Sequence, residues 1–128
     1  MEIVRRAAEA FKAGGVEALV PFLAPGAVLH PAPEWIEAPE YHGPDGLRAL
    51  VSVWTDYFDE WVWEIHELRD AGDRVVALIE HGGKIKGTDT PLHQPMGIIY
   101  SDFRGGQIGG ARFFQTWREA LEAAGLQE

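Results

Sequence analysis

The spacing of the apolar residues changes near residue 60, and this change constrains the fold more than any other feature of the chain. In residues 2–13, 16–23 and 47–58 apolar residues recur every three or four positions, which is the period of amphipathic helices. From Trp61 onwards they stand in short runs separated by glycine-containing turns, as they do in strands. The sequence therefore predicts helices first and antiparallel strands afterwards, that is, an α+β domain.

Three amphipathic helices are predicted before the sheet. The first covers residues 2–13 and ends at Gly14-Gly15, and a second, shorter one ends before Pro25-Gly26. The third begins at residues 43–45, where proline suits the first helical position and Asp45 complements the helix dipole, and it reaches about residue 59.

The strands are predicted from short apolar runs and from the turns between them. They cover residues 27–30, 61–70, 74–80, 96–103 and 107–117, and a last short helix covers 118–125. The segment 82–95 is a long connection that extends the strands on either side of it. Residues 31–42 contain three prolines and no regular period, which is typical of a lid or binding loop.

The run Val75–Ile79 is apolar on both faces of its strand, so we expect both faces to be covered. A twisted sheet that curls around the helices covers one face and leaves a cavity at its open end. A second copy of the chain is the simplest cover for the other face. The 128 residues fit one domain over 1–128, with a strongly curved, mostly antiparallel sheet wrapped around three helices and enclosing a pocket.

Composition excludes several classes of function. The absence of cysteine excludes disulfides, thiolate metal sites and cysteine nucleophiles. The net charge of −9 disfavours nucleic acids and anionic membranes as partners. The N-terminus does not resemble a secretory signal, and the longest aliphatic run is far shorter than the roughly 20 residues of a membrane span. We therefore expect a cytoplasmic protein.

Several short segments resemble the nuclear transport factor 2-like superfamily, in particular its SnoaL-like branch, which includes polyketide cyclase-like and ketosteroid isomerase-like proteins. They are residues 23–28 (Leu-Ala-Pro-Gly-Ala-Val), 41–46 (Tyr-His-Gly-Pro-Asp-Gly), 68–75 (Leu-Arg-Asp-Ala-Gly-Asp-Arg-Val), 103–108 (Phe-Arg-Gly-Gly-Gln-Ile) and 119–126 (Glu-Ala-Leu-Glu-Ala-Ala-Gly-Leu). The resemblance spans nearly the whole chain. It implies a cone-shaped α+β domain, commonly a homodimer, with an apolar pocket between sheet and helices. Members include isomerases, cyclases, epoxide hydrolases, dehydratases and non-catalytic binding proteins, so the fold alone selects no activity.

His30 is the first candidate catalytic residue. It ends the first strand directly before a proline, where ketosteroid isomerases have a similar strand that ends in a carboxylate base. Imidazole titrates near pH 6.5 and can exchange a proton at neutral pH. A histidine bonded only to backbone or water is the structural alternative.

His81 and His93 are the other two candidates, because they stand at the facing ends of strands that a hairpin would pair. They would help to shape or polarise the site. The three histidines lack a recognisable metal-binding spacing, and no glycine-rich phosphate loop is present, so we expect neither a metal nor a cofactor.

Aromatic and apolar side chains are abundant enough to line a pocket for a small apolar or aromatic ligand. The candidates are Trp35, Tyr41, Trp54, Tyr57, Phe58, Met96, Arg112 and Phe114. Trp35 lies in the proline-rich loop and is a candidate lid contact, whereas the helical spacing of Trp54 and Phe58 also fits a core role. A buried Arg112 would require a carboxylate or an anionic ligand, and an exposed Arg112 is the alternative.

Two catalytic signatures of related proteins are incomplete. Epoxide hydrolases of this fold carry an aspartate in the last strand, where this chain has Arg112-Phe113-Phe114-Gln115. An isomerase oxyanion hole needs a tyrosine and a neutral carboxylic acid, and Tyr57 and Asp102 are the only weak candidates. Three hypotheses follow: a cofactor-independent isomerase, cyclase or dehydratase that acts by proton transfer on an apolar carbonyl compound, a non-catalytic binder of hydrophobic ligands, and a dimeric interaction protein.

Overall fold

The computed structural model describes residues 2–32 and 40–126 of the chain. Their elements, in chain order, are α1 (Glu2–Leu19), a 3-10 helix (Val20–Phe22), β1 (Leu23–His30), β2 (Tyr41–His42), α2 (Gly43–Tyr57), β3 (Phe58–Asp70), β4 (Val75–Ile85), β5 (Pro91–Ser101), β6 (Ile108–Phe114) and α3 (Trp117–Ala123). The predicted succession of helices followed by strands is confirmed.

Six strands form one curved sheet in the order β2-β1-β6-β5-β4-β3. All neighbouring strands are antiparallel except β1 and β6, which are parallel, so the sheet is mixed. The pairing of β3 with β4 is irregular between Asp59 and Val62 and again between Ile65 and Glu67. Such irregularities bend and twist a strand, which helps the sheet to curve around the helices. The predicted α+β class with a strongly curved sheet is confirmed.

The long connection predicted over 82–95 is mostly strand. β4 and β5 pair without interruption from Val75–Tyr100 to Lys84–Pro91, and only a tight turn joins them. Glycines 82 and 83 lie within β4 and do not end it. A side chain at Gly82 would collide with the backbone of Leu92. Glycine is needed there for close strand packing.

The predicted break after the first helix falls at Gly15. This residue has φ 72° and ψ −160°, a backbone conformation that glycine adopts readily and other residues rarely do. The chain then continues as a helical turn to Leu19, so α1 consists of two segments joined by a kink. The following strand begins at Leu23 rather than Ala27, and Pro25-Gly26 lies within it at an irregularity in the pairing with β6.

The two faces of the sheet are covered by different helices. The inner face packs on α1 and α2, and the main core cluster includes Leu50, Ala77 and Ile98. On the outer face Val76 and Ile99 pack against α3. Both faces of Val75–Ile79 are therefore covered within one chain, because the terminal helix folds back over the sheet. The two-sided apolar run consequently gives no independent support for a second copy.

None of the helices in the described residues is both long and apolar enough to span a membrane.

Candidate functional site

An apolar cavity of about 100 Å³ lies between the inner face of the sheet and helices α1 and α2. Its wall comprises Val4, Ala7, Ala8, Phe11, Leu19, Phe22, Leu23, Leu29, Leu47, Leu50, Val51, Trp54, Trp61, Trp63, Ile65, Ile79, Met96, Ile98, Tyr100, Ile108, Ala111 and Phe113. The wall arises from simple alternation: Met96, Ile98 and Tyr100 point inward from β5, whereas Gly97 and Ile99 face α3.

Tyr100 carries the only hydroxyl among the described residues of this wall. Burial raises the pKa of its phenol well above the usual value of 10. The group therefore stays protonated throughout the neutral and mildly alkaline range. The hydroxyl is therefore a hydrogen-bond donor in an otherwise apolar wall.

Tryptophan and phenylalanine rings form one side of the cavity. Trp54 and Trp61 are stacked with ring centroids 5.4 Å apart and planes 10° apart. Phe11 stacks on Trp63 at 5.3 Å, and its ring is tilted against Trp61 at 5.9 Å. This side of the cavity is thus a continuous aromatic surface contributed by α1, α2 and β3.

His81 lies behind this aromatic surface and is 1% exposed. The rings of Trp54, Phe58 and Trp61 approach its imidazole edge-on, with centroid distances of 5.9, 6.1 and 6.2 Å. The indole Nε1–H of Trp61 donates a 3.1 Å hydrogen bond to Nδ1 of His81. Burial, with a smaller contribution from the charge of His93, lowers the pKa of His81 to about 4. His81 is therefore neutral at pH 7.

The other ring nitrogen of His81 is directed at Gln94, its partner across the β4–β5 pair. A neutral imidazole that accepts at Nδ1 carries its proton on Nε2. The carboxamide nitrogen of Gln94 lies 3.4 Å from Nε2. A half-turn of the carboxamide presents its oxygen as an acceptor in the same space, so Gln94 is suited to hold the Nε2–H tautomer.

His30 lies on the outer face of the sheet. Its neighbour Leu29 points into the cavity, and alternation along β1 directs the His30 side chain the other way. Nδ1 of His30 is 3.8 Å from one carboxylate oxygen of Glu40, and Nε2 of His42 is 3.5 Å from the other. At the end of β1, the side chain of Leu29 lines the cavity and that of His30 does not.

An outer groove of about 510 Å³ contains His30 and Arg112, whose Cα atoms pair across β1 and β6. Arg74, Ser101 and Asp102 also line it. The side chain of Arg112 is exposed, which was the alternative to a buried arginine. No buried charge therefore has to be neutralised by a ligand at this position.

The three candidate histidines occupy different environments. His81 is buried behind the cavity wall, His30 lies in the outer groove, and His93 is exposed on β5 opposite Gly82. Only His81 and His93 are near one another. The described residues contain no group of three or more histidine and acidic side chains arranged to hold a metal ion.

The candidate pocket residues also lie in different parts of the structure. Trp54 and Met96 line the cavity, and Phe58 packs beside His81 rather than in the wall. Tyr41 packs against the core at the edge of the sheet. Tyr57 is 51% exposed at the end of α2. Phe114 packs on the outer face near α3, because it follows the inward-facing Phe113. Trp35 lies outside the described residues.

Sequence reasoning missed Phe11, Trp61, Trp63 and Tyr100 as cavity residues. The alternation Trp61-Val62-Trp63-Glu64-Ile65 was the available signal, since it places the two tryptophans and Ile65 on one face of a strand. For Tyr100 the signal is the alternation along β5, which places Met96, Ile98 and Tyr100 on one face of the strand.

The family to which this chain belongs is shown by its sequence over most of its length. Residues 4–110 match the family described as the SnoaL-like domain, and the chain belongs to that family. No curated protein shows a significant sequence match to the chain.

Solved structures share the fold over almost the entire chain. An NTF2-like protein from Burkholderia thailandensis superposes with a TM-score of 0.78 at 19% identity, covering 98% of this chain and 96% of that one. A hypothetical protein with a ketosteroid isomerase-like fold from Catenulispora acidiphila, in complex with trimethylamine, gives 0.73 at 23% identity, with coverage of 98% and 94%. A proposed SnoaL-like polyketide cyclase from Jannaschia sp. gives 0.73 at 20% identity, with coverage of 96% and 88%. At these identities the likeness concerns the fold alone.

Proposed function

We propose that this chain binds a compact apolar molecule, about one ring in size, in the interior cavity, with the Tyr100 hydroxyl donating a hydrogen bond to a single carbonyl oxygen. The composition of the cavity wall carries the proposal. Among its described residues Tyr100 is the one titratable group, and the rest are aliphatic or aromatic apart from the indole N–H groups. The indole N–H of Trp61 is already donated to His81.

The cavity volume limits the size of the ligand. About 100 Å³ is well below the roughly 300–1,000 Å³ of pockets that enclose drug-sized molecules. An apolar cavity of about 150 Å³ is known to take up benzene. A monocyclic ligand therefore fits after small adjustments of side chains, whereas a four-ring steroid requires a much larger displacement of the wall.

Matched ligands test the proposal. Acetophenone carries a carbonyl oxygen and ethylbenzene does not, and quenching of Trp54, Trp61 and Trp63 fluorescence reports their binding. We expect dissociation constants on the order of 0.1–1 mM for molecules of this size. Tyr100→Phe should weaken acetophenone about fivefold, which corresponds to one ordinary hydrogen bond, and leave ethylbenzene unchanged.

A filled cavity provides the control. Ala7 lies in the wall and Ala49 is exposed on α2, so Ala7→Leu and Ala49→Leu add the same atoms inside and outside the cavity. The proposal predicts that A7L abolishes the binding of both ligands and that A49L leaves it intact. Equal binding by the two variants would show that the ligands bind elsewhere.

Proton transfer on the bound carbonyl compound is a second proposal. The supporting observation is the buried Tyr100 phenol, because a protonated donor aimed at a carbonyl oxygen stabilises the enolate that forms when a neighbouring carbon loses its proton. The described wall residues include no base, so one of His30, His81 and His93 would have to act through rearrangement or through water. Loss of deuterium exchange at the acetophenone methyl group in one histidine-to-glutamine variant would identify the base. Absence of exchange above the solvent rate in the wild type would favour the non-catalytic function.

The homodimer and the cytoplasmic location implied above are likewise proposals. The outer groove between β1, β6 and α3 is left open by α3 and is a surface that a second copy could cover. Sedimentation equilibrium would distinguish one copy from two.

A further inference from the structure

A surface groove of about 460 Å³ adjoins the cavity, between the end of α1, helix α2 and the first half of β3. Phe11, Val51, Trp61 and Trp63 line both the groove and the cavity. These four side chains therefore form a common partition between the cavity and the groove.

The two aromatic parts of this partition are held differently. Trp61 is fixed by its hydrogen bond to His81 and by stacking on Trp54. Phe11 and Trp63 are stacked on each other, with planes 19° apart, and their rings make no hydrogen bond to the described residues. A ligand that extends from the cavity into the groove would pass between Phe11 and Trp63 at the least cost.

Lys12 is the one charged side chain among the described residues that line the groove. Its Nζ lies 5.4 Å from the centroid of the Trp63 ring, within the range of a cation–π contact. The ammonium group makes no ion pair with the described residues and is exposed to solvent. A positive charge is thus placed at the outer side of the partition, in a chain whose net charge is −9.

We infer that the ligand is an apolar monocarboxylate whose ring occupies the cavity and whose carboxylate lies in the groove beside Lys12. This inference rests on the proposed binding of a ring in the cavity, not on the hydrogen bond from Tyr100, and it specifies the charged group of the ligand. The apolar wall excludes a carboxylate from the cavity itself, because an unpaired charge there is strongly disfavoured. The groove supplies both solvent and the complementary ammonium group.

The test compares 3-phenylpropanoate with its neutral isostere 3-phenylpropanamide, using tryptophan fluorescence at low ionic strength. Wild-type protein should bind the carboxylate more tightly than the amide. Lys12→Gln should weaken the carboxylate about two- to fivefold, the range of an exposed ion pair, and leave the amide unchanged. Lys84→Gln removes the same charge from an exposed site on β4 outside the groove lining and should preserve the preference. Added salt at 0.5 M should reduce the preference of the wild type for the carboxylate over the amide to the level of K12Q.

The outcomes separate this inference from the proposed function. If K12Q and K84Q behave alike, or if the wild type binds carboxylate and amide equally, the assignment of Lys12 is wrong while the cavity proposal stands. If acetophenone binds and 3-phenylpropanoate does not, the ligand class is wrong and the cavity proposal again stands. If neither acetophenone nor either phenylpropanoyl compound binds, both proposals fail.

Discussion

The indole of Trp61 donates a 3.1 Å hydrogen bond to Nδ1 of the buried His81 and thereby joins the wall of the cavity to an imidazole behind it. Trp61 lies on β3 and His81 on β4, so the bond also ties two neighbouring strands together. It fixes the orientation of the ring on which Trp54 stacks. The shape of the aromatic side of the cavity therefore depends on the neutral state of His81.

The first prediction concerns pH. The pKa of His81 is about 4 in the folded chain and near 6.5 in the unfolded chain, so only the unfolded state binds this proton between those values. The free energy of unfolding should fall as the pH decreases from about 6.5 to 4. This histidine should account for about 2 kcal/mol of loss between pH 7 and pH 5.

Urea denaturation of the wild type, His81→Gln and His42→Gln at both pH values measures this contribution. H81Q should lose about 2 kcal/mol less than the wild type over the interval, whereas H42Q, which alters an exposed imidazole, should keep the contribution of His81. Equal pH dependence of the wild type and H81Q would mean that His81 titrates normally in the folded chain.

The second prediction concerns the hydrogen bond itself. Trp61→Phe removes the indole donor to Nδ1 of His81 and should lower the free energy of unfolding by about 1–3 kcal/mol beyond the lost packing. Trp63→Phe removes the same atoms from a cavity residue whose indole makes no hydrogen bond to the described chain, and it reports the loss of packing together with the weaker contact to Lys12. The pKa of His81, followed by NMR, should rise in W61F and not in W63F, because the lost bond stabilised the neutral ring. Equal destabilisation of the two variants would argue against the bond.

The third prediction concerns the packing of α3. A Cβ atom at Gly97 would lie next to the Cβ of Ala120, closer than any van der Waals contact permits, so Gly97→Ala must displace α3 from the sheet. We expect a loss of about 1–3 kcal/mol. Gly26→Ala is the control, since Gly26 has open space around it, and its effect should stay within about 0.5 kcal/mol. Thermal unfolding with both variants tests whether α3 packs this closely on the outer face.

The fourth prediction concerns His30. Because its side chain lines the outer groove, His30→Gln should change the affinity for acetophenone by less than about twofold. The fluorescence titration described above measures this. A loss of tenfold or more would show that His30 reaches the cavity in the ligand-bound state, and it would support the proton-transfer proposal.

The sequence by itself determined most elements of this fold, although β1 begins four residues earlier than predicted and β2 was not predicted. Three- and four-residue spacing gave the helices, the position of Gly15 gave the break in α1, and the turns at 71–74 and 104–107 gave the hairpins. These features are local, because a helix or a turn depends on residues a few positions apart. The ligand pocket between helices and sheet was expected from the curl of the sheet and from the family resemblance, and it stays a prediction.

Tertiary structure alone decided which side chains enter the cavity. Val75–Ile79 is apolar on both faces, so the sequence offers no alternation from which to assign His81 to one side. The irregularity in the pairing of β1 with β6 likewise shifts the phase of the strand that ends at His30. The face on which a strand residue lies is fixed by its pairing with residues distant in sequence, and a shift of one position moves every side chain to the opposite face. For the same reason only the folded chain shows that α3 covers the outer face of the sheet and that Lys12 stands beside Trp63 at the edge of the cavity.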